Sequence, residues 1–122
     1  MTLDLPVTHC SQTDVGLARE QNEDSYGWMP PSESGRGWVF VVADGMGGAV
    51  AGAAASQLAV KRIKETYVQR IGVGGTPIVD AMSAAIESAN SGILDLGEKD
   101  PSVRGMGTTV TMLVLYEGLA HL

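Results

Sequence analysis

Trp38-Val39-Phe40-Val41-Val42-Ala43 contains no polar residue, and Asp44-Gly45-Met46-Gly47-Gly48 follows it without a break. A short run this rich in β-branched and aromatic side chains reads as a strand, and its unbroken apolar character predicts burial on both faces. Such a strand delivers a carboxylate to the margin of a sheet. There the charge is costly unless it is paired, hydrogen-bonded or bound to a cation. The glycines behind it let the chain turn sharply and let backbone carbonyls approach a ligand. Mg2+ and Mn2+ take oxygen donors of this kind. A helix cap accounts for the same five residues, and the pentapeptide alone leaves both readings open. No Lys follows the glycines, so this is not the phosphate-cradling loop that ends in Gly-Lys-Ser/Thr.

Upstream, Asp24 to Trp28 reads as a short strand, and Pro30-Pro31-Ser32-Glu33-Ser34-Gly35 as a loop. The two strands predict a hairpin, in which the start of the first lies beside the end of the second. Glu23 and Asp24 are therefore expected next to Asp44. Just before them, Arg19 is a residue type that grips phosphate with two parallel hydrogen bonds. Taken alone, Arg19-Glu20-Gln21-Asn22-Glu23-Asp24 is equally an exposed charged loop.

Downstream, an Ala-rich helix is expected from about Val50 to Ile71, with Ala55, Leu58, Ala59, Ile63, Tyr67 and Ile71 as its apolar stripe. Small residues from Ala51 to Ala55 keep its first turns thin. Gly72 to Gly75 end it. Thr76 is the expected N-cap of a second helix with Pro77 at its first position. The stripe of that helix is Ile78, Met82, Ala85, Ile86, Ala89, Ile93 and Leu96. A loop over Gly97–Gly107, a strand over Thr108–Tyr116, a turn at Glu117-Gly118 and the start of a returning strand at Leu119–Leu122 complete the chain. Ending on so short a strand predicts a cut inside a domain. Lys61, Arg62 and Lys64 read as a solvated helix face, His9 as a surface or edge residue and His121 as an ordinary strand residue.

The 122 residues amount to one domain or part of one, and 44% hydrophobic against 18% charged residues excludes wholesale disorder. A formal charge of −6 argues against a nucleic-acid binder, which needs clustered Lys and Arg. Cys10 is the sole cysteine, which rules out an intrachain disulfide and a thiolate zinc cluster. Residues 1–10 lack a signal-peptide pattern, and no apolar run approaches the roughly 20 residues that span a bilayer. A cytoplasmic protein without a membrane partner is expected.

Three segments in order carry a resemblance: Thr13-Asp14-Val15-Gly16-Leu17-Ala18-Arg19-Glu20-Gln21-Asn22-Glu23-Asp24, then Val39 to Gly48, then Gly105-Met106-Gly107-Thr108-Thr109. Together they resemble the protein phosphatase 2C (PPM, metal-dependent) family, in its bacterial style, from about His9 onward. The resemblance implies an α+β fold of αββα type, a four-layer β-sandwich with helices on its outer faces. Residues 1–8 would be a lead-in and residues 9–122 the incomplete N-terminal part of that domain. It also implies signalling by hydrolysis of phosphoserine and phosphothreonine in proteins, by water held between two Mn2+ or Mg2+ ions.

By the same resemblance Asp44 would bridge both metals and the Gly45 carbonyl would bind one. Glu23 and Asp24 would act mainly through water in the coordination shell, and Arg19 would hold the substrate phosphate. No covalent phosphoenzyme is implied, so Cys10 is not a nucleophile. The family's further aspartates have no counterpart here, since Asp80, Asp95 and Asp100 match no such motif. The 122-residue chain is therefore expected to be inactive or very weak by itself. Half a sandwich also leaves an apolar sheet face open, through which self-association is expected. The alternative function is a non-catalytic binding or regulatory module that keeps the front half of the fold. An unrelated α/β domain with a fortuitous Asp-Gly turn is the remaining reading.

Overall fold

A computed structural model describes residues 6–122; the first five positions of the expected lead-in lie outside the described residues. The chain forms β1 (Asp24–Met29), a one-turn helix α1 (Pro31–Ser34), β2 (Trp38–Met46), two long helices α2 (Ala49–Ile71) and α3 (Ile78–Lys99), then β3 (Gly107–Thr108), β4 (Thr111–Tyr116) and β5 (Leu119–His121). The sheet is antiparallel, in the order β1-β2-β4-β5, with β3 paired to the far end of β2. Both long helices lie on one side of it. The chain thus forms two layers, one of sheet and one of helix, where the resemblance implied four.

The loop expected over Pro30–Gly35 closes into α1. Pro31 starts it with a pre-set φ, and Gly35 ends it in the left-handed region at φ 88°. α2 and α3 match their predicted stripes closely: Ala55, Ala59, Ile63, Tyr67 and Ala85 are fully buried, and Ile78, Met82 and Ala89 nearly so. Ile86 is the exception, left exposed beside the cleft between α3 and β4. Thr76 does not cap that helix. Its hydroxyl turns back to the Val73 carbonyl, and Pro77 holds the N-cap position without a side-chain cap.

β2 departs from its expected burial. Val39, Val41 and Ala43 are buried under the helices, whereas Trp38 and Phe40 are half-buried and Val42 is 58% exposed. Residues alternate between faces along a strand, and among the described residues no second sheet covers the face opposite the helices. On that open face His9 sits over Trp28, Trp38 and Phe40, with ring centroids 4.3 to 5.5 Å away. The apolar face expected from half a sandwich is therefore present. Arg62 also departs from expectation. It is tucked against α3 rather than solvated, its guanidinium reaching the Ser88 carbonyl beside Gly92. Among the described residues no helix is long and apolar enough to cross a membrane.

Candidate metal centre

The predicted hairpin brings its two ends together, with Asp24 as the direct cross-strand partner of Asp44. Both are exposed, and strand parity puts both on the open face, at its end beyond Tyr26 and Val42. Asp44 lies inside β2, which runs three residues further than the apolar segment did. Gly48 is the residue at the N-cap of α2, and no side chain caps that helix. The helix-cap reading of Asp44 is excluded.

Asp24 carries the mark of this closeness. Loss of hydration raises the Asp24 carboxyl above the ordinary carboxylate value, and the Asp44 charge and a hydrogen bond shared with Asp44 raise it further. Arg19 pulls in the opposite direction, and Glu23 adds to the rise. Two like charges held this closely favour keeping a proton or taking up a cation.

Glu23 goes to the other side of the sheet margin. It is buried beneath the start of α2, one oxygen receiving a 2.6 Å ion pair from Arg19 while its Oε1 has no hydrogen-bond partner. Space for it exists because Gly52 has no side chain: a Cβ there would collide with Glu23 Oε1. Gly45 is equally constrained, since its Cβ would run into the Gly52 carbonyl, and its N–H donates to the Glu23 carbonyl at 3.2 Å. Gly45 therefore packs backbone on backbone with Gly52 and Glu23, while Gly52 makes room for the Glu23 carboxylate. The Arg19-to-Asp24 segment is not a free loop. Asn22 ties it down, donating to Thr13 Oγ1 at 2.7 Å and accepting from the Asp24 N–H at 3.0 Å.

Thr109 fixes the remaining side. Its N–H donates to the Asp44 carbonyl at 2.9 Å, and its hydroxyl accepts from the Asp44 N–H at 3.1 Å. Sequence reasoning placed Thr109 in a motif but gave it no task, because the contact joins residues far apart in the chain. Arg19, Glu23, Asp44, Gly45, Gly47, Gly48 and Thr109 line a cleft of ≈ 420 Å³. Asp95 and Asp100 lie elsewhere, Asp95 pairing with Lys99 and Asp100 accepting from Ser102.

The donors are hard oxygens, which suits Mg2+ or Mn2+. The unpartnered Glu23 oxygen and the crowded Asp24–Asp44 pair are both conditions that a cation relieves. Among the described residues, however, no group of three or more His, Cys, Asp and Glu side chains is arranged to hold a metal. The residues fit one part of a coordination shell.

No protein-family model matches the chain. Individual relatives do. It is 32% identical over 121 residues to the serine/threonine protein phosphatase PstP of Mycobacterium tuberculosis H37Rv, covering 97% of this chain and 22% of that protein. It is 34% identical over 108 residues to the protein phosphatase PhpP of Streptococcus pneumoniae D39, covering 88% of this chain and 43% of that protein. The crystal structure of M. tuberculosis PstP superposes with a TM-score of 0.68 at 33% identity, over 86% of this chain and 40% of that one. A second structure, of the PstP catalytic domain in complex with two manganese ions, gives 0.67 at 33% identity. The chain spans less than half the length of the curated relatives it matches.

Proposed function

Because this chain belongs to the protein phosphatase 2C (PPM) family, we propose that residues 9–122 form the front part of a site that hydrolyses phosphoserine and phosphothreonine in proteins. The observation that carries the reading is the Asp24–Asp44 pair at the end of the β1–β2 hairpin, with the Gly45 backbone beside it. Two Mn2+ or Mg2+ ions would supply an activated water and charge neutralisation in an in-line displacement. Asp44 and the Gly45 carbonyl would hold them directly. Asp24 and Glu23 would complete the shell through water, from opposite sides of the sheet margin.

Arg19 keeps one guanidinium nitrogen on Glu23 and has its side chain 72% exposed. Five N–H donors in a fixed fork leave enough for a phosphate to be gripped while that ion pair persists. The bonds between Thr109 and the Asp44 main chain would keep Asp44 oriented throughout. Phosphoproteins would be the substrates, and the setting would be cytoplasmic signalling without nucleic-acid or membrane partners. These residues alone provide too few carboxylates for two dications, so the isolated chain would turn over little or nothing. That shortage also supports the second reading, a non-catalytic binding module.

Turnover of p-nitrophenyl phosphate with Mn2+ tests the proposal, measured on the chain alone and on a fusion that adds the remaining part of a related phosphatase domain. The fusion should be active, the chain alone should not, and Asp44→Ala should abolish activity in the fusion. An active Asp44→Ala, or turnover that ignores Mn2+, sinks the metal reading. Full activity from the chain alone sinks the claim that further carboxylates are needed.

A further inference from the structure

We propose that Ser56 is a positioning residue for the carboxylate site, a role that rests on the metal reading above. Ser56 lies on α2 and is completely buried. Its hydroxyl donates to the Glu23 carbonyl at 2.6 Å and sits 2.8 Å from the Ser25 hydroxyl. The Glu23 carbonyl is also the acceptor for the Gly45 N–H. One oxygen thus receives a bond from α2 and another from β2, and it belongs to the residue between Asn22 and Asp24.

The consequence is geometric. Glu23 has two handles on α2, the Ser56 hydroxyl on its carbonyl and the gap at Gly52 for its carboxylate. Ser56 and Gly52 are four residues apart, so they sit on one face of the helix. Ser56 therefore sets the height of the Glu23 backbone against Gly45, and with it the spacing of Asp24 from Asp44. Ser25, which follows Asp24, engages the same hydroxyl from the helix-facing side of β1. A buried serine on an Ala-rich helix is otherwise a poor choice, since Ala would pack there with better helix propensity.

The experiment compares the 122-residue chain with Ser56→Ala and Ser25→Ala. Mn2+ binding is followed by the electron paramagnetic resonance of free Mn2+, and backbone amide exchange by NMR. Ser56→Ala should weaken Mn2+ binding about tenfold, the scale typical for partners that orient metal ligands. It should also speed exchange of the Gly45 amide while leaving the Ala81 amide, bonded to Pro77 in α3, unchanged. Ser25→Ala, which spares the bond to Glu23, should give the smaller effect in both readouts.

Equal acceleration at Gly45 and Ala81 would mean general loosening, and would overturn the proposal. So would unchanged Gly45 exchange. If the parent chain binds no Mn2+, its incomplete shell accounts for that, and the Gly45 amide alone decides whether Ser56 positions Glu23. Should Ser56→Ala fail to fold, Ser56→Cys fills the same space with a weaker donor. It should exchange faster than the parent at Gly45; a Cys variant identical to the parent in both readouts refutes the role.

Discussion

The two faces of the sheet are built from alternate residues of the same strands, yet they have opposite fates. Toward the helices, Met29, Val39, Val41, Ala43, Met112 and Val114 are at most 4% exposed. Toward the other side, Tyr26, Trp28 and Val42 remain 39 to 58% exposed. Composition does not separate them, since the open face carries the larger aromatic groups. What differs is cover: α2 and α3 lie on one face and, among the described residues, only the His9 segment lies on the other. Asp24 and Asp44 share the open face, whereas Glu23 and Gly45 belong to the helix side. The candidate site therefore straddles the boundary between a finished core and an unfinished one, taking its rigidity from the first and its carboxylate pair from the second.

If that division is right, stability resides on the helix side. Ile63→Ala, at a fully buried position, should cost about 2–5 kcal/mol in urea unfolding, the usual range for such a truncation. Next comes Tyr67, also fully buried, whose hydroxyl donates to the Arg36 carbonyl at 2.7 Å. Tyr67→Phe should cost about 1 kcal/mol. Burial pushes this phenol up from 10.0 to about 12, although Arg36 opposes the rise. The folded state favours the protonated form, so that contribution is intact below pH 10 and is lost as pH climbs through 12. A Tm series across that window should show the loss in the parent and a shallower one in Tyr67→Phe.

Phe40→Ser, on the open face, should cost less than about 1 kcal/mol and should reduce any self-association seen by light scattering. A loss as large as that of Ile63→Ala would break the contrast between the faces. The smallest effect has the opposite sign. Folding favours the protonated Asp24 carboxyl, chiefly through lost hydration and then through Asp44. This contribution is present below the ordinary carboxylate value and disappears as pH rises through the raised one. At pH 7 without metal, the pair is a burden, and Asp44→Asn should raise Tm slightly. Added Mn2+ should raise the Tm of the parent but not of Asp44→Asn.

Local signals revealed the hairpin, both helices and the meeting of Asp24 with Asp44, because period, turn chemistry and strand pairing are written in neighbouring residues. The extension of β2 through Met46 was not legible: Asp44-Gly45-Met46 looks like a turn, and β3 converts it to strand by pairing Gly45 with Thr108. Thr76 misled for a related reason. The helix starts one residue later than its cap signal, with Pro77 at the N-cap, and the Thr76 hydroxyl donates back to the Val73 carbonyl instead. The tasks of Gly52, Ser56 and Thr109 were hidden entirely, since each acts on a backbone group brought to it by tertiary packing. The exposure of Phe40 and Val42 depends on what lies above the sheet, which no pattern within the strand encodes.

The clasp on Asp44 also has a consequence in time. Thr109 comes 65 residues after Asp44, and a chain emerging from a ribosome grows by about 5–20 residues per second. For several seconds β1, β2 and α2 can be out while the main chain at Asp44 has nothing to hold it. The carboxylate pair therefore matures after the hairpin and the first long helix. A nascent chain stalled before Thr109 would carry the hairpin and the first long helix, but an unfastened Asp44.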